Sequence, residues 1–263
     1  SVGKISSCGR KRCGAGMTVD ALADGLKRDA EGMGLMLSDW QASQLQSYLA
    51  LIQKWNKVYN LTAIRDTKEM VTHHLLDSLA VISPLRNRLA GLAYEDDGAH
   101  DAGANAVAAG VGLSKTPPFL YRLLDVGSGA GLPGVVIAIC CPDIHVTCID
   151  AVAKKMAFVQ QVATELKLTN LSARHVRVET LTEPFDVITS RAFATLTDFV
   201  EGSRAARKPV TGIWMAMKAK DTAVERAALA ADIDVFHVEP LRVPGLDAER
   251  HLVWMRQKAA TTH

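Results

Sequence analysis

A chain of 263 residues, 48% of them hydrophobic, can bury one α/β-sized core with a smaller appendage and is short for two full domains. Thirty basic against 28 acidic residues leave a net charge of +2, which argues against strong global attraction to nucleic acid but not against a local basic face. No run of about 18 apolar residues occurs, so no membrane span is expected.

Five cysteines (Cys8, Cys13, Cys140, Cys141 and Cys148) form no CxxC pair and have no histidines at zinc spacing, so no metal site is expected. Cysteine usage of this kind suits a reducing, cytoplasmic setting better than a secreted disulfide scaffold. Residues 1–16 are basic, lack the apolar stretch of a secretory signal and are expected to be a disordered extension, with Met17 a candidate initiator.

Ser38 with Gln41 makes a capping-box pattern, and Leu45, Tyr48, Leu49, Ile52 and Trp55 recur at helical spacing, which predicts an amphipathic helix over 38–59. Asp66 with Glu69 repeats the signature ahead of Val71, Leu75, Leu79 and Ile82, with Pro84 at the helix end. These helices precede every strand, so residues 17–90 read as an N-terminal helical cap. From 91 to 118, twelve of 28 residues are Ala or Gly, and Pro117-Pro118 closes the run. A flexible insertion is expected there.

From Tyr121 onwards, apolar strand candidates at 121–126, 145–149, 171–176, 185–189, 211–217, 233–238 and 251–256 alternate with helical stretches such as Met156, Val159, Val162 and Leu166. Repeated βαβ units predict an α/β domain over 119–263 with a mostly parallel sheet. The loop Pro244–Arg250 holds no helical pattern, so the last two strands are expected to be antiparallel.

The first strand runs into Gly127-Ser128-Gly129-Ala130-Gly131, where glycines permit a tight turn and close approach of a ligand to the backbone. Pro133 suits the first turn of the helix that follows. The stretch Gly129–Gly134 also satisfies the dinucleotide pattern GxGxxG. Counted from Gly127, however, the last glycine position is Leu132, and Asp125 resembles the acid of a methyltransferase first motif. Asp150, at the end of the second strand, can accept ribose hydroxyls, cap the next helix, or do both. Glu179, after Val178, can accept from an adenine amino group or lie solvated at the surface. The fourth strand ends in Ser190-Arg191-Ala192-Phe193, with neither the Pro-Pro-aromatic signature of exocyclic-amine methylation nor the Pro-Cys of pyrimidine carbon-5 methylation.

Six segments then point one way: 54–62, His74–Ser78, Asp125–Gly134, Arg177–Glu179, Ser190–Phe193 and Glu249–Val253. In order and spacing they resemble the RsmG (GidB) family of bacterial 16S rRNA guanine-N7 methyltransferases from about Leu35 to Val253, apart from the 91–118 insertion. The resemblance implies a Rossmann-like, seven-stranded class I methyltransferase sheet with an N-terminal helical extension. It implies S-adenosylmethionine as cofactor and methylation of N7 at guanine 527 (the family's rRNA coordinate), by alignment and without a covalent nucleophile. Cofactor contacts then fall on Gly127, Leu132, Val178, Glu179 and Arg191, joined by Gly129 and Asp150 from the reading above. RNA contacts are expected at His74, Lys218 and Arg250, with Lys54 and Lys57 meeting phosphates. The family's Lys-Gly after the fifth strand is here Lys218-Ala219, and its basic residue before the histidine is His73. The substrate is 16S rRNA, naked or within the small subunit, and the enzyme is expected to be a monomer.

Overall fold

The computed structural model describes residues 19–97, 119–191, 195–219 and 222–259. The expected extension 1–16, and the Ala/Gly-rich stretch beyond Asp97, lie outside these.

Seven strands form one sheet: β1 (Tyr121–Val126), β2 (Ile144–Asp150), β3 (Leu171–His175), β4 (Val187–Arg191), β5 (Ile213–Lys218), β6 (Ile233–Pro240) and β7 (His251–Gln257). Their order is β3-β2-β1-β4-β5-β7-β6, parallel from β3 to β5, with β7 antiparallel to both neighbours. The final pair is antiparallel as its helix-free loop predicts, and β7 additionally inserts between β5 and β6. Alternate residues of the strands feed two cores. Leu123, Val146 and Cys148 belong to one, and Leu124, Val126 and Ile149 to the other. Burial on both faces is why these strands read as continuous apolar runs. The strand order reverses between β1 and β4, so a crevice opens at their carboxyl ends, where doubly wound sheets bind ligands.

The helices before the sheet are α1 (Val19–Gly32), α2 (Asp39–Tyr59), α3 (Thr67–Met70), α4 (Asp77–Leu79) and α5 (Ile82–Asp97). The capping box of α2 is formed both ways: Gln41 N–H donates to Ser38 Oγ at 3.1 Å and Ser38 N–H to Gln41 Oε1 at 2.9 Å. Asp66 caps α3 through the N–H groups of Lys68 and Glu69. Between α3 and α4 lies a π-helical stretch, Val71–Leu76, where regular periodicity predicts an ordinary helix. Ile82 and Pro84, read as that helix's end, instead open α5, where a missing N–H costs little. Residues 91–97, assigned to the insertion by composition, continue α5.

Between the strands lie α6 (Gly134–Cys140), α7 (Ala153–Glu165), α8 (Leu196–Ser203) and α9 (Ala223–Ala227), with α6 and α7 in one core cluster and α8 in the other. Leu45, Tyr48, Leu49 and Ile52 of α2 share one buried cluster with Val135 and Ile139 of α6 and Phe158 and Val159 of α7. The N-terminal helices are thus a layer of the sheet domain's own core. Among the described residues no helix is long and apolar enough to cross a membrane.

Candidate active site

The turn after β1 holds Gly127, Gly129 and Gly131 at φ of 65°, 60° and 90°, a region that L side chains rarely adopt. Its glycines divide by what they face. A Cβ at Gly127 or Gly129 would meet nothing within 4 Å, whereas one at Gly131 would lie 2.5 Å from Val135 Cγ2. At Gly134 it would lie 2.5 Å from Cys148 Sγ. The first two glycines therefore open the turn towards the crevice, and the last two let α6 pack against the sheet.

Three side chains support this turn. Asp125 Oδ2 accepts from Gly134 N–H at 2.8 Å. Burial pushes that carboxyl up to about 7, against the opposing pull of the Gly134 hydrogen bond and the Arg191 charge. Tyr48, reaching across from α2, donates its hydroxyl to Ala130 O at 2.6 Å. Asp150 Oδ2 accepts from Gly129 N–H at 3.1 Å while its Oδ1 accepts from Val152 N–H at 2.9 Å. Asp150 thus links the end of β2 to the turn and holds the start of α7. Pro133 stands at the N-cap of α6, one residue before the first turn.

The crevice is a cleft of about 510 Å³ whose lining includes Gly127, Gly129 and Leu132 from the turn, Arg191 from β4, Lys218 from β5 and Arg250 ahead of β7. Its opposite wall comes from the π stretch and its flank, with His73, His74 and Asp77. π-helical turns often mark functional ground. Here Asp77, with only 3% of its side chain exposed, accepts from Arg191 Nη1 at 3.2 Å and from Arg250 Nε at 2.9 Å. Arg191 Nη1 also donates to His73 O at 2.7 Å. One buried carboxylate thereby fixes two guanidinium groups at the cleft, and leaves each with further N–H donors.

His74 lines the same wall. Its Nε2 shares a 2.9 Å hydrogen bond with Thr62 Oγ1, and burial, reinforced by the Arg191 charge, depresses its pKa to about 4. At neutral pH it is an uncharged imidazole. Lys218 pairs with Glu225 at 2.8 Å. Lys54 and Lys57 lie exposed on α2, outside the cleft lining.

Of the expected cofactor contacts, the cleft gathers Gly127, Gly129, Leu132 and Arg191, and Asp150 touches it through Gly129. Val178 is buried and Glu179 exposed in a short 3-10 turn that does not line it. Phe193, which follows β4, falls outside the described residues. The sequence pattern marks Asp77 and Tyr48 only as parts of a motif and a helix core. A signal for Asp77 exists nonetheless: three positions after His74, it shares that residue's helix face.

A family model described as rRNA small subunit methyltransferase G matches residues 41–93 and 111–253. Its interruption falls within the Ala/Gly-rich stretch. A protein of Albidiferax ferrireducens named ribosomal RNA small subunit methyltransferase G is 58% identical over 238 residues, covering 90% of this chain and 98% of that protein. One of the same name from Acidovorax ebreus is 54% identical over 239 residues, covering 91% and 97%.

Proposed function

The chain belongs to the rRNA small subunit methyltransferase G family, and from that premise we propose that it transfers the methyl group of S-adenosylmethionine to N7 of guanine 527 in 16S rRNA. The observation that carries this reading is the cleft, which joins a glycine turn with two open faces to a pair of guanidinium groups anchored on one buried carboxylate.

The residues suit this cofactor. The missing Cβ atoms at Gly127 and Gly129 leave room for a nucleoside to lie against backbone, and Leu132 adds an apolar side chain. Asp150, already bonded to the turn, retains acceptor capacity for ribose hydroxyls. Val178 and Glu179 are assigned to the adenine, the carboxylate accepting from its amino group. Bound there, S-adenosylmethionine supplies a methyl group already activated on a sulfonium.

Guanine N7 carries an in-plane lone pair and no proton, so the attack requires neither a general base nor a covalent nucleophile. The protein's part is alignment and exclusion of water, which supplies roughly 7–11 kcal/mol in favourable systems. Arg191 and Arg250, oriented by Asp77, hold the RNA backbone and target base over the turn. His74, being neutral, serves as a hydrogen-bonding wall, with Lys218 beside it at the cleft rim.

Labelled S-adenosylmethionine incubated with unmethylated small subunits, or with naked 16S rRNA, tests the assignment. The modified base is mapped by N7-specific strand cleavage. One cleavage site at guanine 527 is expected; label at another base or on a protein overturns it.

A further inference from the structure

Two buried side chains of α2 reach the two walls of the cleft from behind. Tyr48 donates its hydroxyl to Ala130 O at 2.6 Å, inside the glycine turn, and its ring stacks on Phe158 with centroids 6.4 Å apart. Asn56 lies about 12 Å further along the helix axis. Its Oδ1 accepts from Thr62 N–H at 3.0 Å and its Nδ2 donates to Ile64 O at 3.2 Å. Asn60, left-handed at φ 48°, ends α2 and turns the chain back so that both bonds can form. Thr62 Oγ1 in turn accepts from Ile64 N–H at 3.2 Å and shares its 2.9 Å hydrogen bond with His74 Nε2.

Ala130 lines the cleft on the side of the glycine turn, and Leu61, Thr62, Ile64 and His74 line it opposite, whereas Tyr48 and Asn56 do not line it. Both ends of the Asn56 amide are used, so only one orientation of the side chain satisfies its surroundings, and Tyr48 is fixed by its ring packing and its hydroxyl. A helix has a fixed rise per residue and is therefore a stiff bar between two such points. The reaction depends on that distance. Methyl carbon must stand in line between the sulfur on one wall and guanine N7 on the other, and an error of about 1 Å costs on the order of 100-fold in rate.

From this we propose that Tyr48 and Asn56 are positioning residues, and that α2 is the spacer that sets the distance between the cofactor turn and the wall formed by residues 61–64 with His74. The inference rests on the reading of the cleft as an rRNA methylation site. Within the segment 54–62 it is then the buried amide, and not the exposed Lys54 and Lys57, that reaches the site.

Steady-state methylation of unmethylated small subunits, calorimetric titration of S-adenosylmethionine and thermal melts test the spacer. Tyr48→Phe removes one oxygen and is expected to raise Kd for S-adenosylmethionine about five-fold, the scale of one hydrogen bond, with KM for the subunit within about two-fold of wild type. Asn56→Ala should do the converse, raising that KM about ten-fold while the cofactor Kd holds. With both substrates saturating, each single variant should still lose roughly ten- to 100-fold in kcat. The double variant should lose no more than the worse single one, because a second displacement finds the alignment already lost. Its two decrements in Tm should nonetheless add, as they do for distant sites. A merely structural role gives lowered Tm with kcat near wild type, or losses in kcat that multiply, and either result overturns the spacer. Should Asn56→Ala not fold, Thr62→Val keeps the shape, breaks the link to His74 and faces the same kcat test, with Thr62→Ser expected to restore the rate. Failure of the wild-type enzyme to methylate RNA at all would instead strike the functional reading beneath it.

Discussion

At Gly134 a methyl group would press within 2.5 Å of Cys148 Sγ and 2.8 Å of Asp125 Oδ2, whereas at Gly127 it would project into open space from a backbone at φ +65°. Gly134→Ala is therefore an overpacking change, expected to cost about 1–3 kcal/mol and to appear as a lowered Tm. Gly127→Ala incurs a left-handed strain of about 1–2 kcal/mol, but its new carbon also takes room on the cofactor side. Calorimetric titration should show at least a ten-fold loss of S-adenosylmethionine affinity in Gly127→Ala; affinity equal to wild type would remove the open face from the cofactor site. Beneath the turn, Asp125 titrates near 7 in the folded chain against an ordinary 3.8. Between those values the native state holds the extra proton, so this group's contribution to stability is lost as pH rises through the window. His74 works in the opposite sense: its folded value of about 4 against 6.5 means that its contribution is lost as pH falls from 6.5 towards 4. Asp125→Asn keeps an acceptor for Gly134 N–H but cannot ionise. Its Tm relative to wild type should rise from about pH 5 to about pH 8, and a flat difference would show that Asp125 is not the titrating group. The spacing of the glycines was legible in the sequence because turn geometry is local. Which of them face a ligand was not, since that depends on Val135, Cys148 and Asp125 closing in after folding.

The π stretch Val71–Leu76 is the element in which local rules and the folded molecule part company. Its sequence carries a sound cap at Asp66 and an apolar period, both of which predict an ordinary helix. The residue that ends this stretch, Asp77, meets partners far along the chain: Arg191 and Arg250 reach it from 114 and 173 residues away. No single-sequence pattern encodes such a pairing, which explains why the arginines were legible as site residues and their anchor was not. Removing one partner from a buried ion pair costs roughly 3–5 kcal/mol. Arg191 and Arg250 keep 23% and 17% side-chain exposure, so the loss in Asp77→Ala should fall towards the lower end or below it. The larger effect belongs to function. With both guanidinium groups released, kcat should fall on the order of 100-fold, the scale of a 1 Å misplacement. Asp77→Asn, which keeps shape and one acceptor, should lie between. If kcat in Asp77→Ala stays near wild type while Tm drops, Asp77 is a stability residue only.

Across the whole molecule, alternation of apolar strand and helix was enough to place all seven strands to within a few residues. The position of β7 between β5 and β6 was not readable, because the chain pattern gives the order of elements and not which edges meet. How the N-terminal helices pack was not readable either. Their place ahead of the sheet suggests an appended cap, yet Leu45, Leu49 and Ile52 are packed in one buried cluster with Val135, Ile139 and Phe158. Covering the parallel strands on that face takes α2 as well as α6 and α7, since a parallel sheet is stable only when both faces are covered. The described chain should accordingly unfold as one unit. Differential scanning calorimetry is expected to give a single transition whose van't Hoff and calorimetric enthalpies agree. Leu49→Ala, which opens a cavity at the shared seam, should lower that whole transition by about 2–5 kcal/mol and leave it single. A variant scan that splits into two transitions, with the sheet melting at the wild-type temperature, would establish the helices as a separate domain. In that case Tyr48 would hold the glycine turn across an interface between domains, and cofactor affinity would fall when the first transition melts while the sheet remained folded.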